Sequence, residues 1–102
     1  MIGTHKTTQQ VKDNTLSVVY HNTEVVKVIN SEQVILNNGG FYTATTKRRM
    51  NQASLQYNLG FSVYQSDFTW YVRIGNDIEE YYNGIVIDID NKMISREGAW
   101  NN

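Results

Sequence analysis

Three consecutive cations follow a glycine turn, and their position is the strongest sign of chemistry in this chain of 102 residues. Lys47, Arg48 and Arg49 come shortly after Gly39-Gly40, at the expected start of a helix. A helix carries about half a positive charge at its N-terminus, so each cation there should cost roughly 0.3–1 kcal/mol. An anionic ligand would reverse that effect, because backbone N–H groups, hydroxyls and cations would converge on it.

The candidate anion site combines threonines, an aromatic side chain and the cations. Its predicted residues are Tyr42, Thr43, Thr45, Thr46, Lys47, Arg48 and Arg49. Phe41 and Tyr42 could stack on a nucleobase or pack in the core. A solvated helix start, with charges that offset neighbouring acids, is an equally good interpretation. The phosphate-loop spacing Gly-x-x-x-x-Gly-Lys-Thr/Ser of nucleotide hydrolases is absent.

A second candidate site is acidic and lies within fourteen residues, 77–90, that contain no Lys or Arg. Its members are Asp77, Glu79, Glu80, Asp88 and Asp90. Such a patch can engage a basic protein surface, imitate the phosphates of a nucleic acid, or form a solvated sheet face. Carboxylates also hold divalent cations, although the calcium-loop spacing is absent. A metal-dependent nuclease or phosphodiesterase that uses Asp88 and Asp90 is therefore the weaker, enzymatic alternative.

Composition narrows the class of protein. A net charge of −1 is too balanced for indiscriminate attraction to nucleic acid or to an anionic membrane. The chain has no cysteine, which excludes disulfides and fits a reducing compartment. The first residues contain no continuous apolar run, so neither a signal peptide nor a membrane span is predicted. Without a serine-nucleophile motif, we expect a cytoplasmic binding protein with no cofactor and no metal, not an enzyme.

The runs of β-branched and aromatic residues predict an α+β fold. We expect an antiparallel β-meander of five to seven strands packed on a single helix at about residues 46–59. Thr45 or Thr46 would be the N-cap of this helix, and Gly60 would follow its end. Residues 1–14 are predicted to form a flexible arm or an edge strand, and residues 15–102 a single α+β domain.

Turn-prone pairs divide the predicted strands. The expected turns are His21-Asn22, Asn37-Asn38-Gly39-Gly40, Ser66-Asp67 and Asn83-Gly84, the last of type I′. A short return strand is expected at residues 41–43. Phe68, Trp70 and Val72 are expected to share one face of a strand, and the tail would dock through Ile94 and Trp100.

The residue order resembles that of a set of small accessory proteins of tailed bacteriophages. The resemblance covers roughly residues 20–87, and its most specific part is Thr46-Lys47-Arg48-Arg49-Met50-Asn51. It also includes the segments 21–26, 36–45, 61–65, 70–72 and 82–85. The resemblance implies a phage or prophage accessory gene expressed in the host cytoplasm, and it supplies no catalytic residue.

The resemblance and the charged clusters together favour a phage binding protein that inhibits a bacterial defence factor. An anti-CRISPR-like protein would do so by blocking the nucleic-acid or activation surface of its target. The alternative is a sponge that sequesters a defence signalling nucleotide at the predicted anion site, between subunits of a homo-oligomer. The expected partner is a host defence protein or protein–nucleic acid complex, or else a nucleotide or nucleic acid, and no membrane.

Overall fold

The computed structural model describes residues 1–96, which form nine β-strands and one α-helix. The elements are β1 (Thr7–Lys12), β2 (Thr15–Tyr20), β3 (Thr23–Ile29), β4 (Gln33–Leu36), α1 (Ala44–Gln56), β5 (Phe61–Ser66), β6 (Thr69–Ile74), β7 (Asp77–Glu80), β8 (Ile85–Asp88) and β9 (Met93–Ile94).

The strands form two antiparallel sheets. The first sheet has the order β1-β2-β3-β4-β8-β9, and the second has the order β5-β6-β7. The predicted α+β class is confirmed, although the strands outnumber the expected five to seven. The hydrophobic pattern does not reveal edge strand β1, because five of its six residues are exposed and it is held by backbone pairing with β2 and by polar side-chain contacts to α1.

Helix α1 joins the two sheets, and it packs against β5 of the second and against β2 and β3 of the first. Its buried apolar residues, Met50 and Ala53, belong to one core that draws on both sheets. The strands contribute alternating buried residues, as a half-buried sheet requires, for example Val26 and Val28 on β3. The start of the helix therefore lies where both sheets can contact it.

The helix begins two residues earlier than the sequence predicts. Thr43 is the N-cap, with extended backbone angles (φ −102°, ψ 155°), and its Oγ1 accepts a hydrogen bond of 3.2 Å from the amide of Thr46. The predicted N-caps Thr45 and Thr46 lie inside the first turn, and residues 41–43 form a loop, not a strand. The helix ends at Gln56, before the expected Leu59, because Asn58 takes a left-handed conformation (φ 55°).

Two predicted hairpin features are wrong in detail. The β5–β6 turn consists of Asp67 and Phe68, which both have positive φ, because Ser66 pairs with Thr69. Phe68 is therefore 96% exposed and does not share the buried face of Trp70. The turn at Asn83-Gly84 is not type I′, since only Gly84 has positive φ, and it links β7 of one sheet to β8 of the other.

Candidate functional site

The structure does not bring the three predicted cations together. The Nζ of Lys47 lies 3.2 Å from Gln65 Oε1 and 5.5 Å from the centre of the Trp70 ring, on the second sheet. The guanidinium of Arg49 lies on the first sheet instead, 5.6 Å from the ring centre of Tyr20. Residues two apart on a helix point about 200° apart, so Lys47 and Arg49 diverge. Lys47 and Arg49 therefore do not converge on one point in this structure, and anion binding by the predicted residues stays a prediction.

Arg49 is a buried residue that ties the N-terminal segment to the helix. It is 7% exposed, and it donates hydrogen bonds to Thr7 Oγ1 (2.9 Å) and to Gln52 Oε1 (3.1 Å). A Cβ at Gly3 would lie 2.4 Å from Nη1 of Arg49, so the glycine makes room for the guanidinium. Among residues 1–96 no carboxylate pairs with this cation. Sequence reasoning missed this role because charged residues are seldom buried.

A cavity of about 370 Å³ lies between the β2–β3 turn and the start of α1. Thr43 and Thr46 are the two residues of the predicted anion site that line it. Asn38 and His21, which the sequence analysis treated only as turn residues, line it as well. The remaining walls include Tyr20, Thr23, Val25 and Phe41.

Asn38 is the most buried polar residue at this cavity, with 1% exposure. Its Oδ1 accepts a hydrogen bond of 2.8 Å from the amide of Gly40. The backbone N–H of Asn38 donates to Asn83 Oδ1 at 3.1 Å, and this bond fixes the loop that precedes the helix. The side-chain nitrogen Nδ2 has no hydrogen-bond partner within the described part of the chain. A buried donor without an acceptor lowers the stability of the folded protein. Nδ2 is such a donor, and it belongs to a residue that lines the cavity.

An exposed aromatic surface adjoins the same loop. We define it as Phe41, Tyr42 and Tyr82, which are 65%, 57% and 47% exposed, with Lys47 at its edge. The ring of Tyr42 meets the rings of Trp70 and Tyr81 edge to face, with centres 5.0 Å and 5.9 Å apart.

Buried residues hold Tyr42, one member of this aromatic surface, in place. Trp70 and Tyr81 are 3% and 4% exposed, and the Tyr81 hydroxyl donates to Asn83 Oδ1 at 2.6 Å. Burial raises the pKa of Tyr81 above its usual range, so the hydroxyl stays protonated. Tyr42 therefore rests on a fixed base, which reduces the entropy that its side chain loses when a partner binds.

The predicted acidic site is divided and partly neutralised. Asp77, Glu79 and Glu80 belong to β7 of the second sheet, whereas Asp88 ends β8 of the first. Arg96, which follows the acidic stretch, reaches back to Asp77 (2.9 Å) and to Glu79 (2.7 Å).

The remaining acids are engaged differently. Asp88 accepts hydrogen bonds from the backbone and side chain of Asn91, which lower its pKa, while Glu80 and Asp90 are exposed. Within residues 1–96, no three His, Asp or Glu side chains are grouped so as to hold a metal ion.

Replacing Asp77 with Asn should lower the free energy of unfolding by up to about 1 kcal/mol at pH 7, since exposed pairs of this kind are screened by solvent. The hydrogen bond from Arg96 lowers the pKa of Asp77, so the contribution exists above the unfolded value near 4 and is lost as the pH falls through the folded value. Urea denaturation of the wild type and the variant at pH 7 and pH 2.5 measures the stability difference and its loss at low pH. The exposed Asp90→Asn is the control, and a pH-independent difference would contradict the assignment.

Of the two residues predicted to dock the tail, one lies within the described part of the chain. Ile94 on β9 is 1% exposed and joins the core, whereas Trp100 lies outside residues 1–96. Of the described residues, none forms a helix both long and apolar enough to cross a membrane.

Comparison with known proteins adds a family. A protein-family model described as the Kyanoviridae Gp96 protein matches residues 2–88, which include α1, the cavity, and the aromatic surface. No curated protein and no solved structure gives a significant match.

Proposed function

This chain belongs to the Kyanoviridae Gp96 family of phage proteins, and on that premise we propose that it is a phage-encoded binding protein that inhibits a bacterial defence factor. It would dock its aromatic surface on a host protein and so cover the nucleic-acid or activation surface of that protein. A CRISPR–Cas complex is one defence factor of this kind.

The observation that carries the proposal is an exposed aromatic ring, that of Tyr42, fixed on a buried base, with the exposed Phe41 and Tyr82 on the neighbouring loops. Tyr42 is 57% exposed, yet it contacts both Trp70 and Tyr81. Tyrosines that are held in place are among the residues that contribute most to protein interfaces, because they add large contact area with little loss of freedom. Contiguous exposed apolar side chains mark interaction sites more often than scattered ones do.

The charges around this surface favour a protein partner. Arg96 forms ion pairs with Asp77 and Glu79. These two carboxylates are therefore less available to imitate the phosphates of a nucleic acid. The divergence of Lys47 and Arg49 weakens the helix start as a clamp for a nucleic-acid backbone. Lys47 at the edge of the aromatic surface and the exposed Arg48 would complement acids around an apolar patch on the partner.

Plating efficiency tests the proposal. A phage that lacks the gene should plate at least tenfold less well on a host with the relevant defence system than on an isogenic host without it. The wild-type gene should restore plating. Tyr82→Ala and Lys47→Glu should each fail to restore it, because they remove an exposed ring and the positive edge. Leu55→Ala is the matched control, since Leu55 is 81% exposed near the other end of α1.

Three results would contradict this proposal. Equal plating of the deleted phage on every host of a panel that differs in defence systems would exclude defence inhibition. Full restoration by Tyr82→Ala and Lys47→Glu would exclude the aromatic surface. A purified partner that proves to be a nucleic acid would also overturn the choice of a protein target.

The second candidate function is sequestration of a signalling nucleotide. The specific observation in its favour is the cavity beside Asn38, not the three cations on which the sequence analysis placed it. Phe41 belongs to both the aromatic surface and the cavity wall, but Tyr82 and Lys47 do not line that cavity, so variants at these two residues separate the two functions.

A further inference from the structure

We propose that the cavity between the β2–β3 turn and the start of α1 binds the phosphate group of a small phosphate ester with an aromatic or apolar body. The site is built from Asn38, Thr43 and Thr46, with Tyr20 and Phe41 as walls. The proposal rests on the cavity of the second candidate function and not on the proposed defence target, and neither the half-buried Lys47 nor the exposed Arg48 lines this cavity.

Asn38 has an unused hydrogen-bond donor. The side-chain orientation is determined by the Gly40 amide, which needs the oxygen Oδ1 as its acceptor at 2.8 Å. The nitrogen Nδ2 is then left with two N–H groups and no acceptor within the described residues. Asn38 is 1% exposed, so bulk water does not readily satisfy these donors. Because Asn38 lines the cavity, a ligand acceptor that reaches Nδ2 from there would satisfy these donors.

The two threonines supply a further donor. Their hydroxyl oxygens are 2.9 Å apart, so one hydroxyl donates to the other. Thr43 Oγ1 also accepts from the Thr46 amide, in either arrangement of the hydroxyl hydrogens. One of the two hydroxyl hydrogens therefore remains available for a third acceptor, whichever threonine donates. Thr46 is 2% exposed whereas Thr43 is exposed, so the pair lies where the helix start passes from the interior to the surface.

The helix and the buried arginine set the sign of the ligand charge. Thr43 and Thr46 lie in the cavity wall, so the positive end of the α1 dipole faces it, as anion sites at helix N-termini require. Tyr20 lines the cavity and also lies against the guanidinium of Arg49, a buried cation without a described carboxylate partner. No Asp or Glu lines the cavity to oppose an anion.

The number of donors and the shape favour a phosphate ester. Several donors around one group suit the three terminal oxygens of a phosphate monoester better than the two oxygens of a planar carboxylate. Tyr20, Val25 and Phe41 add apolar and aromatic wall, which can contact a base or another ring. The volume of about 370 Å³ lies near the lower end of the range for small-molecule sites, which fits a mononucleotide-sized ligand.

Titration by ¹H–¹⁵N NMR at constant ionic strength tests the site, with inorganic phosphate and adenosine 5′-monophosphate as probes. The Asn38 side-chain NH₂ and the Thr46 amide should shift with both probes. The nucleotide should bind at least tenfold more tightly than phosphate, because only the nucleotide reaches the aromatic wall. Equal affinities would show that the wall contributes nothing and would overturn the ester assignment.

Two near-isosteric variants keep the test informative. Asn38→Asp retains the acceptor for Gly40 but replaces the donor by a negative charge, and Thr46→Val removes a hydroxyl while its amide still bonds to Thr43. Each should weaken binding at least tenfold, with the wild-type spectrum otherwise retained. If one variant unfolds, the binding affinity of the other variant tests the site.

Arg48→Ala is the matched control, because Arg48 is an exposed cation of the same helix turn outside the cavity. It should leave both affinities unchanged. If Arg48→Ala weakens binding as much as Asn38→Asp does, the attraction is diffuse and the site is overturned. Tyr82→Ala should keep phosphate binding while losing the plating phenotype, so the site and the proposed function can fail separately.

Discussion

Trp70→Ala is expected to lower the free energy of unfolding by about 3–5 kcal/mol, the usual cost of deleting a buried aromatic side chain. Trp70 is 3% exposed and lies on β6 in contact with Tyr42 and Tyr81. Its removal deletes two aromatic contacts and leaves a space that the surrounding sheet cannot close. Small domains are stable by about 5–15 kcal/mol, so this single change takes a large part of the total.

Urea denaturation followed by far-ultraviolet circular dichroism measures this loss. Phe68→Ala is the control, because Phe68 lies in the turn of the same hairpin and is 96% exposed. It should change stability by less than about 0.5 kcal/mol, as surface substitutions do. The stability loss of Trp70→Phe should lie between those of Trp70→Ala and Phe68→Ala. A loss below about 1 kcal/mol for Trp70→Ala would contradict the base assigned to the aromatic surface.

Arg49→Ala should lower the free energy of unfolding by about 2–4 kcal/mol, since it removes two hydrogen bonds, a cation–π contact and the packing of the alkyl stem. The loss should be concentrated in the N-terminal segment. Ile2 and Gly3 also depend on this face of the helix, because their amides donate to Gln56 and Gln52.

Urea denaturation measures the total loss of unfolding free energy. Amide hydrogen exchange of residues 2–12 shows whether the loss is concentrated in the N-terminal segment. Arg48→Ala is the matched control, one residue away and exposed, with an expected change below about 0.5 kcal/mol. Arg49→Met keeps much of the stem, so it separates packing from charge and should cost less than Arg49→Ala. Equal stabilities of Arg49→Ala and Arg48→Ala would show that the buried contacts contribute nothing.

Local patterns were sufficient for much of the architecture. The β2–β3 hairpin turns at His21-Asn22 as expected, and the alternation Ile85, Val86, Ile87 places both isoleucines in the core. The helix position was correct to within three residues at each end. Its start depended on which of three neighbouring threonines became the N-cap, and all of them have the required hydroxyl.

The sequence by itself determined the α+β class, the order of most elements and the phage resemblance, because these depend on periodicity and on local turn chemistry. Only the tertiary structure decided which charges are paired, buried or free. Arg96 meets Asp77 across 19 positions, and Arg49 meets Thr7 across 42. The cavity depends likewise on distant segments, since Asn38 is held by Asn83. Such contacts arise from how the two sheets pack around one helix, and no local spacing encodes that packing.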